Sequence, residues 1–252
     1  MSISKLFDLS DQTAIVTGSG KGIGEGIARL LSLAGANVVV SSRTLEDIQK
    51  VSSDINSVGG SSIPFVCDVT DDAQVDALAK CAIQNFGKID IWINNVGGSS
   101  GRTPLKELSR EDWDQTIALT LTSVFIGCQV AAQNMTTGSI VNISSRSSWG
   151  SVPNNSHYGA AKAGVINLTK GLAMSWAPNN INVNCIAPGL TATEGVASWL
   201  PEKTKEDGTS VPPLLYPPDP EHVADLALFL ASELSAHISG ELFPIRSLTE
   251  LA

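Results

Sequence analysis

The chain alternates short runs of β-branched and aliphatic residues with longer stretches in which apolar residues recur every three or four positions. Thr13-Ala14-Ile15-Val16-Thr17 reads as a strand, and Ile27, Leu30, Leu31 and Ala34 then mark one face of a helix. Asn37-Val38-Val39-Val40 predicts the next strand, with Leu45, Ile48, Val51 and Ile55 spacing a helix after it. Ile63-Pro64-Phe65-Val66 and Ile89-Asp90-Ile91-Trp92-Ile93 repeat the cycle around a helix carrying Val75, Leu78 and Ile83. A long helical stretch near 111–135 precedes the strand Ile140-Val141-Asn142-Ile143. A helix over 158–176 leads into Ile181-Asn182-Val183-Asn184-Cys185-Ile186. Nearly continuous apolar strands bounded by helices belong to a parallel sheet covered on both faces. The alternation predicts an α/β, doubly wound fold, with ligands gathered at the carboxyl ends of the strands.

Regularity ends at 190–220, where Pro201, Pro212, Pro213, Pro217 and Pro218 flank the polar cluster Lys203-Thr204-Lys205-Glu206-Asp207-Gly208. A long irregular insertion late in an α/β unit predicts a lid or binding loop, placed near 190–216. Asp219 then suits an N-cap and Pro220 the first position of a further helix. With no linker or repeat in between, residues 1–252 are expected to form one domain.

Charge narrows the partners. Sixteen basic residues against 25 acidic ones leave a net charge of −9, with no Lys or Arg run. That balance argues against nucleic acid and anionic membranes. Met1-Ser2-Ile3-Ser4-Lys5 lacks the basic segment and apolar run of a signal peptide, and no apolar stretch approaches the roughly 20 residues of a span. Cys67, Cys81, Cys128 and Cys185 are scattered and read as small buried hydrophobes. A cytoplasmic protein is expected. His157, His222 and His237 stand at no metal-ligand spacing, so no metal site is expected.

The first strand runs into Thr17-Gly18-Ser19-Gly20-Lys21-Gly22-Ile23-Gly24. Glycines there allow a tight turn and a close approach to a pyrophosphate seated at a helix N-terminus. Ile23 stands where G-x-G-x-x-G has its last glycine, and Gly22 follows Gly20-Lys21 where a Walker loop has Ser or Thr. Further along come Asp68-Val69, Asn94-Asn95-Val96-Gly97, Tyr158-x-x-x-Lys162 and Pro188-Gly189. In order and spacing these five motifs resemble the short-chain dehydrogenase/reductase family, over about residues 10–245.

The resemblance implies a Rossmann fold that binds a nicotinamide dinucleotide. Gly18, Ser19, Lys21, Gly22, Ile23 and Gly24 would hold the pyrophosphate, Asp68 and Val69 would face the adenine, and Asn94, Val96 and Gly97 would support the loop and ribose. Pro188, Gly189, Thr191 and Thr193 would complete the nicotinamide side. The second strand ends in Ser42-Arg43, without the carboxylate that repels a 2′-phosphate. A guanidinium fork at Arg43 and an ammonium at Lys21 suit that phosphate, so NADP(H) is expected over NAD(H).

Tyr158 and Lys162, four apart in a helix, project from one face. A phenol titrates near 10, and a neighbouring ammonium favours its ionised form. The family places its catalytic serine at Ser145, just past the strand 140–143. By the resemblance Ser145 would hold a carbonyl oxygen, Tyr158 would protonate it, and Lys162 would grip the ribose and lower the phenol pKa. Thr120 takes the position of the family's relay asparagine.

The expected pocket walls are 98–102, 146–157 and 190–216. Their aromatic and aliphatic residues, Trp149, Trp199, Leu200, Leu214, Leu215 and Tyr216, favour an apolar or aromatic substrate, with Arg102 and Arg146 read as solvated charges in preference to partners of an anionic substrate group, and His157 at the rim or in a structural bond. The expected activity is an NADPH-dependent carbonyl reductase or secondary-alcohol dehydrogenase, with a homotetramer or homodimer as the assembly that the resemblance implies. The alternative, motivated by Thr120 and by a C-terminus that continues past Ile245 without Asp-Gly-Gly, is a dinucleotide-binding sensor or scaffold with little turnover.

Overall fold

The computed structural model describes residues 5–150, 153–205 and 207–248. Glu206 of the polar cluster, residues 151–152 of the expected pocket wall, and the ends 1–4 and 249–252 lie outside them. The strands are β1 (Thr13–Thr17), β2 (Asn37–Ser42), β3 (Ser61–Val66), β4 (Ile91–Asn94), β5 (Gly138–Ile143), β6 (Ile181–Pro188) and β7 (Leu242–Ile245). They form one parallel sheet in the order β3-β2-β1-β4-β5-β6-β7. The helices are α1 (Gly22–Leu33), α2 (Leu45–Ser57), α3 (Asp72–Phe86), α4 (Arg110–Ile117), α5 (Ser123–Asn134), α6 (Ser156–Trp176) and α7 (Pro220–Ala231). This is the doubly wound α/β fold that the alternation predicts.

Strand alternation divides the apolar residues between two cores. Ala14, Val16, Val38 and Val40 face α1, α2 and α7, whereas Ile15, Val39 and Trp92 face α3, α5 and α6. Because both faces are covered, consecutive strand residues are apolar, which is why the strands stand out in the sequence. The two edge strands each carry a proline, Pro64 in β3 and Pro244 in β7. Proline lacks an N–H and is tolerated in a sheet at its edges. Asp219 precedes α7, with Pro220 as its first residue, and the backbone N–H of Asp219 donates to His222 Nδ1 at 3.1 Å.

Two expectations change. The helix near 111–135 is two helices joined by a five-residue π turn, Ala118–Thr122. Such a turn inserts a residue into the i→i−4 ladder and re-aims the side chains beyond it. The continuous segment Arg110–Asn134 is also long and apolar enough to pass for a membrane span, but half of its most apolar window is buried within the fold.

Polar groups cross the second core in a chain. Trp92 Nε1 donates to Asn94 Oδ1 at 2.8 Å, and Asn94 Nδ2 donates to Asn142 Oδ1 at 2.9 Å across the β4–β5 pair. Asn142 Nδ2 donates to Thr169 Oγ1 at 2.9 Å, and that hydroxyl donates to Val165 O at 2.8 Å. All four side chains are buried, so cutting the chain at its centre takes one hydrogen bond from each neighbour, leaving Asn94 with the weaker Cys128 Sγ contact at 3.3 Å and Thr169 with Val165 O. Asn142→Ala is expected to lower unfolding free energy by about 1–3 kcal/mol, the net worth of two lost hydrogen bonds. Urea denaturation checks it, and a loss under about 0.5 kcal/mol contradicts the network's structural weight.

Candidate active site

The sheet reverses its winding between β1 and β4, so the loops after these strands part and leave a crevice at their carboxyl ends. Gly18 and Gly22 have φ of +63° and +60°, which side chains rarely tolerate. A Cβ on Gly24 would collide with Gly18 O, and one on Gly20 would lie 2.8 Å from Asp47 Cβ. Lys21 at the N-cap of α1 makes no side-chain cap bond, so the first-turn N–H groups face the crevice without a protein acceptor from that residue. These glycines and the uncapped helix fit the diphosphate of a dinucleotide.

Asn95, not Asn94, ties the two loops together. Its Nδ2 donates to Thr17 O at 3.0 Å and Gly18 O at 3.1 Å, and its backbone N–H donates to Thr17 Oγ1 at 3.1 Å. Asn94 is sealed in the core network and does not reach the crevice. Ser19 is also fully buried: its hydroxyl donates to Val16 O at 2.6 Å and accepts from Ser41 N–H at 2.8 Å, holding the loop on β2. Ile23 packs into the first core.

Beside this loop lies a 190 Å³ pocket that brings together Lys21, Ser42, Arg43, Asp68, Val69 and Val96. Asp47 joins them, and its carboxylate stands 3.3 Å from Lys21 Nζ. Arg43 stands 4.0 Å from Asp68. Hydrogen bonds from Thr70 hold the Asp68 carboxyl below its ordinary value, with burial acting against them and Arg43 adding a smaller pull in the same direction as Thr70. Asp47 was not singled out above, and only its place in the first turn of α2, five residues past Ser42, hints at it.

At the other end of the crevice Tyr158 and Lys162 share the inner face of α6, and Ser145 follows β5. Ser145 Oγ accepts from Ser147 N–H at 3.1 Å and neighbours the Tyr158 phenol. Burial raises the phenol pKa, and the Ser145 contact opposes that shift. Lys162 is buried at 2 % exposure, with Nζ donating to Ile143 O at 2.6 Å and lying 5.8 Å from the Tyr158 ring centre. Ser144 donates to Lys162 O at 2.8 Å. A Cβ on Gly97 would lie 2.6 Å from Lys162 Nζ, so the residue after Val96 has to be glycine for the lysine to sit there.

Thr120, in the middle of the π turn, is fully buried. Its hydroxyl donates to Gly98 O at 2.7 Å and accepts from Gly98 N–H at 3.0 Å, so it fastens the loop after β4 rather than facing Lys162. Pro188 ends β6, and the Gly189 N–H donates to Ile245 O at 2.8 Å. Thr191 is buried, and the Thr193 methyl covers the Gly22 position at 3.3 Å, joining the 190–216 segment to the phosphate loop.

Ser145 and Tyr158 open onto a cleft of about 610 Å³, with Gly189, Leu190, Trp199, Val211 and Leu215 among its apolar and backbone lining. Arg102, Arg146, Asn155 and Glu202 are its polar wall. His157 does not reach the rim: it is fully buried, with no partner on either ring nitrogen among the described residues. The Asn155 side-chain oxygen is likewise buried without a partner.

The family model described as enoyl-(acyl carrier protein) reductase matches residues 18–245. The 3-oxoacyl-[acyl-carrier-protein] reductase of Thermotoga maritima is 35% identical over 240 residues, spanning 94% of this chain and 97% of its own. The chain belongs to the short-chain dehydrogenases/reductases. The gluconate 5-dehydrogenase of Gluconobacter oxydans is 35% identical over 258 residues and covers 97% of both chains. A 7α-hydroxysteroid dehydrogenase, solved with NADH and 7-oxo glycochenodeoxycholic acid, superposes with a TM-score of 0.90 at 30% identity, covering 100% of this chain and 99% of its own. The family binds a nicotinamide dinucleotide, and these relatives are oxidoreductases of alcohol and carbonyl groups.

Burial depresses the Lys162 pKa from 10.5 to about 8, with the nearby Cys185 acting weakly the other way. Below about pH 8 both folded and unfolded chains hold this proton, and the folded state bears the full cost of the buried charge. Between about 8 and 10.5 the unfolded chain binds more protons, so that cost is relieved as pH rises. Cys67, Cys128 and Cys185, pushed up by burial to about 11, about 12 and about 11, act with the opposite sign above about pH 9. Comparing wild type with Lys162→Met cancels Cys67 and Cys128, which do not feel the lysine, and leaves of Cys185 only the part coupled to the ammonium. Wild type should gain on the variant by on the order of 2 kcal/mol between pH 8 and pH 10, read from urea titrations at each pH. A difference independent of pH contradicts the buried, depressed lysine.

Proposed function

We propose that the chain is an NADPH-dependent carbonyl reductase or secondary-alcohol dehydrogenase acting on a substrate with an apolar or aromatic body. The observation that carries this reading is the meeting of Ser145, Tyr158 and Lys162 at the carboxyl ends of the strands, between the dinucleotide crevice and the 610 Å³ cleft. The bound nicotinamide supplies or accepts the hydride. Ser145 holds the substrate oxygen, Tyr158 gives that oxygen its proton in reduction and removes it in oxidation, and Lys162 makes the phenol's loss of a proton cheaper. Gly18, Gly22 and Gly24 admit the pyrophosphate, while Asp68 and Val69 border the adenine.

The absence of a carboxylate at Ser42 and the exposed guanidinium of Arg43 support NADPH. Asp47 is the opposing charge in that pocket, and its pairing with Lys21 offsets it. Segment 190–216 would act as the lid of one domain. Exposed Phe125 on α5 and Met174 on α6 support a homodimer or homotetramer built on those helices. The four unpaired cysteines are compatible with a cytoplasmic location. The Thr120 hydroxyl, spent on Gly98, favours a second reading in which the chain binds the dinucleotide with little turnover.

Reduction of a ketone panel by NADPH separates the two readings. Tyr158→Phe should lower kcat by about 10²- to 10⁴-fold, the range of a lost general acid, while NADPH still binds by fluorescence titration. Binding without reduction in the wild type supports the second reading. Wild type should prefer NADPH over NADH by about tenfold or more in kcat/KM, and Arg43→Asp should reverse the order. Equal use of both dinucleotides by the wild type overturns the NADPH assignment.

A further inference from the structure

The chain's six arginines fall into two groups. Arg29 pairs with Glu25 and Asp54, Arg110 with Asp114, and Arg43 with Asp68. Arg102, Arg146 and Arg246 have no carboxylate within 4.0 Å among the described residues. All three border one place. Arg102 and Arg146 line the cleft that holds Ser145 and Tyr158, and Arg246 adjoins it through Ser247, with its Cβ 2.8 Å from where a Cβ on Gly189 would stand. The chain has 25 acidic residues and 16 basic ones, so the lack of an ion pair at these three arginines is not for want of carboxylates in the chain.

Neither cleft arginine is an idle surface charge. Arg146 is half-buried, with its Nε 3.4 Å from the position of a Cβ on Gly150, and among the described residues no acceptor is bound to its guanidinium. A guanidinium that has lost part of its water without gaining a counter-charge bears a cost that an incoming anion removes. Arg102 is exposed, but its guanidinium carbon lies 5.3 Å over the Trp199 ring, which aims it across the cleft mouth from the loop after β4 to the 190–216 segment. Glu202 is the one carboxylate in the described lining, and it pairs with neither arginine.

We infer that the substrate is a carboxylate: a carbonyl compound or secondary alcohol whose acid group is received by Arg146 and Arg102 while its reacting carbon lies at Ser145 and Tyr158. The planar guanidinium fork matches a carboxylate's two oxygens. The apolar wall between, Leu190, Val211 and Leu215, accommodates the connecting chain. The carboxylate takes no part in the chemistry. In reduction a hydride from the dihydronicotinamide adds to the carbonyl carbon, the carbonyl π electrons move to oxygen, and the Tyr158 proton neutralises it. This rests on the hydride-transfer reading and takes the anionic-partner reading of the two arginines over the solvated one.

The test uses full-length protein, NADPH, and aryl ketones bearing a carboxylate two to five methylenes from the carbonyl, each beside its methyl ester. At one chain length the acid should exceed its ester in kcat/KM by about 10- to 100-fold, the range of a charge-assisted hydrogen bond, with the difference mainly in KM. Arg146→Gln and Arg102→Gln should each pull the acid-to-ester ratio toward one. Esters that match their acids at every length overturn the inference, and so does a ratio that survives both substitutions. If the wild type reduces neither, calorimetry of acid and ester binding to the NADPH complex decides separately. Acid-selective binding lost in Arg146→Gln keeps the anion site while the hydride-transfer reading fails. Equal or absent binding ends both.

Discussion

A buried ammonium organises the catalytic end of this fold. Lys162 has left water almost completely, and one carbonyl, Ile143 O, is its described hydrogen-bond acceptor. Such a group is costly to fold around, and several neighbouring features follow from accommodating it. Gly97 has to lack a side chain so that Nζ can stand beside the loop after β4. Ser144 fixes the backbone of the lysine's own turn. Thr120, reached through the π turn, clamps Gly98 and so keeps Gly97 at that distance. The same desolvation that burdens the fold is what makes the ammonium's proton easy to shift, a property that a surface lysine lacks.

Two loops meet at the crevice, and one side chain holds them in register. Asn95 belongs to β4's loop but spends its amide on the carbonyls of Thr17 and Gly18. The phosphate loop is therefore positioned from the loop that carries Gly97, and the two ends of the dinucleotide crevice are mechanically one unit. On the far side Thr193 covers Gly22, so the segment 190–216 touches the phosphate loop before it reaches the substrate cleft.

The strands were legible because a parallel sheet buried on both faces writes itself as unbroken apolar runs, as in β1 and β2. The five motifs were legible through their shared order, which resembles the family's, since a pair such as Tyr158 and Lys162 is by itself an ordinary helix-surface spacing. Legibility failed where two neighbours of one type differ only by the face they point to. Asn94 and Asn95 are adjacent amides, and the strand's period of two sends one into the core network and the other to the loop. Ser19 reads as a loop donor, yet its hydroxyl is used within the sheet. The π turn at Ala118–Thr122 has no composition that separates it from a plain helix, so the fate of the Thr120 hydroxyl was hidden with it.

Charge placement was the least legible property, and it ties the two ends of the site together. Net charge says that the protein is acidic, but the acids are distributed so that Lys21 and Arg43 have carboxylate neighbours while the cleft arginines do not. At the dinucleotide end, a paired cation can still meet a 2′-phosphate, because Lys21 and Arg43 are 77% and 70% exposed and free to swing between partners. Each pairing also lessens the attraction, so the charge offered at that end is the balance of two ion pairs rather than two free cations. At the cleft no such exchange is available, since Glu202 pairs with neither arginine. An anion there would meet the half-buried Arg146, where a contact counts for more than on the open surface. The same residue type therefore does different work at the two ends, and its counter-ions decide which.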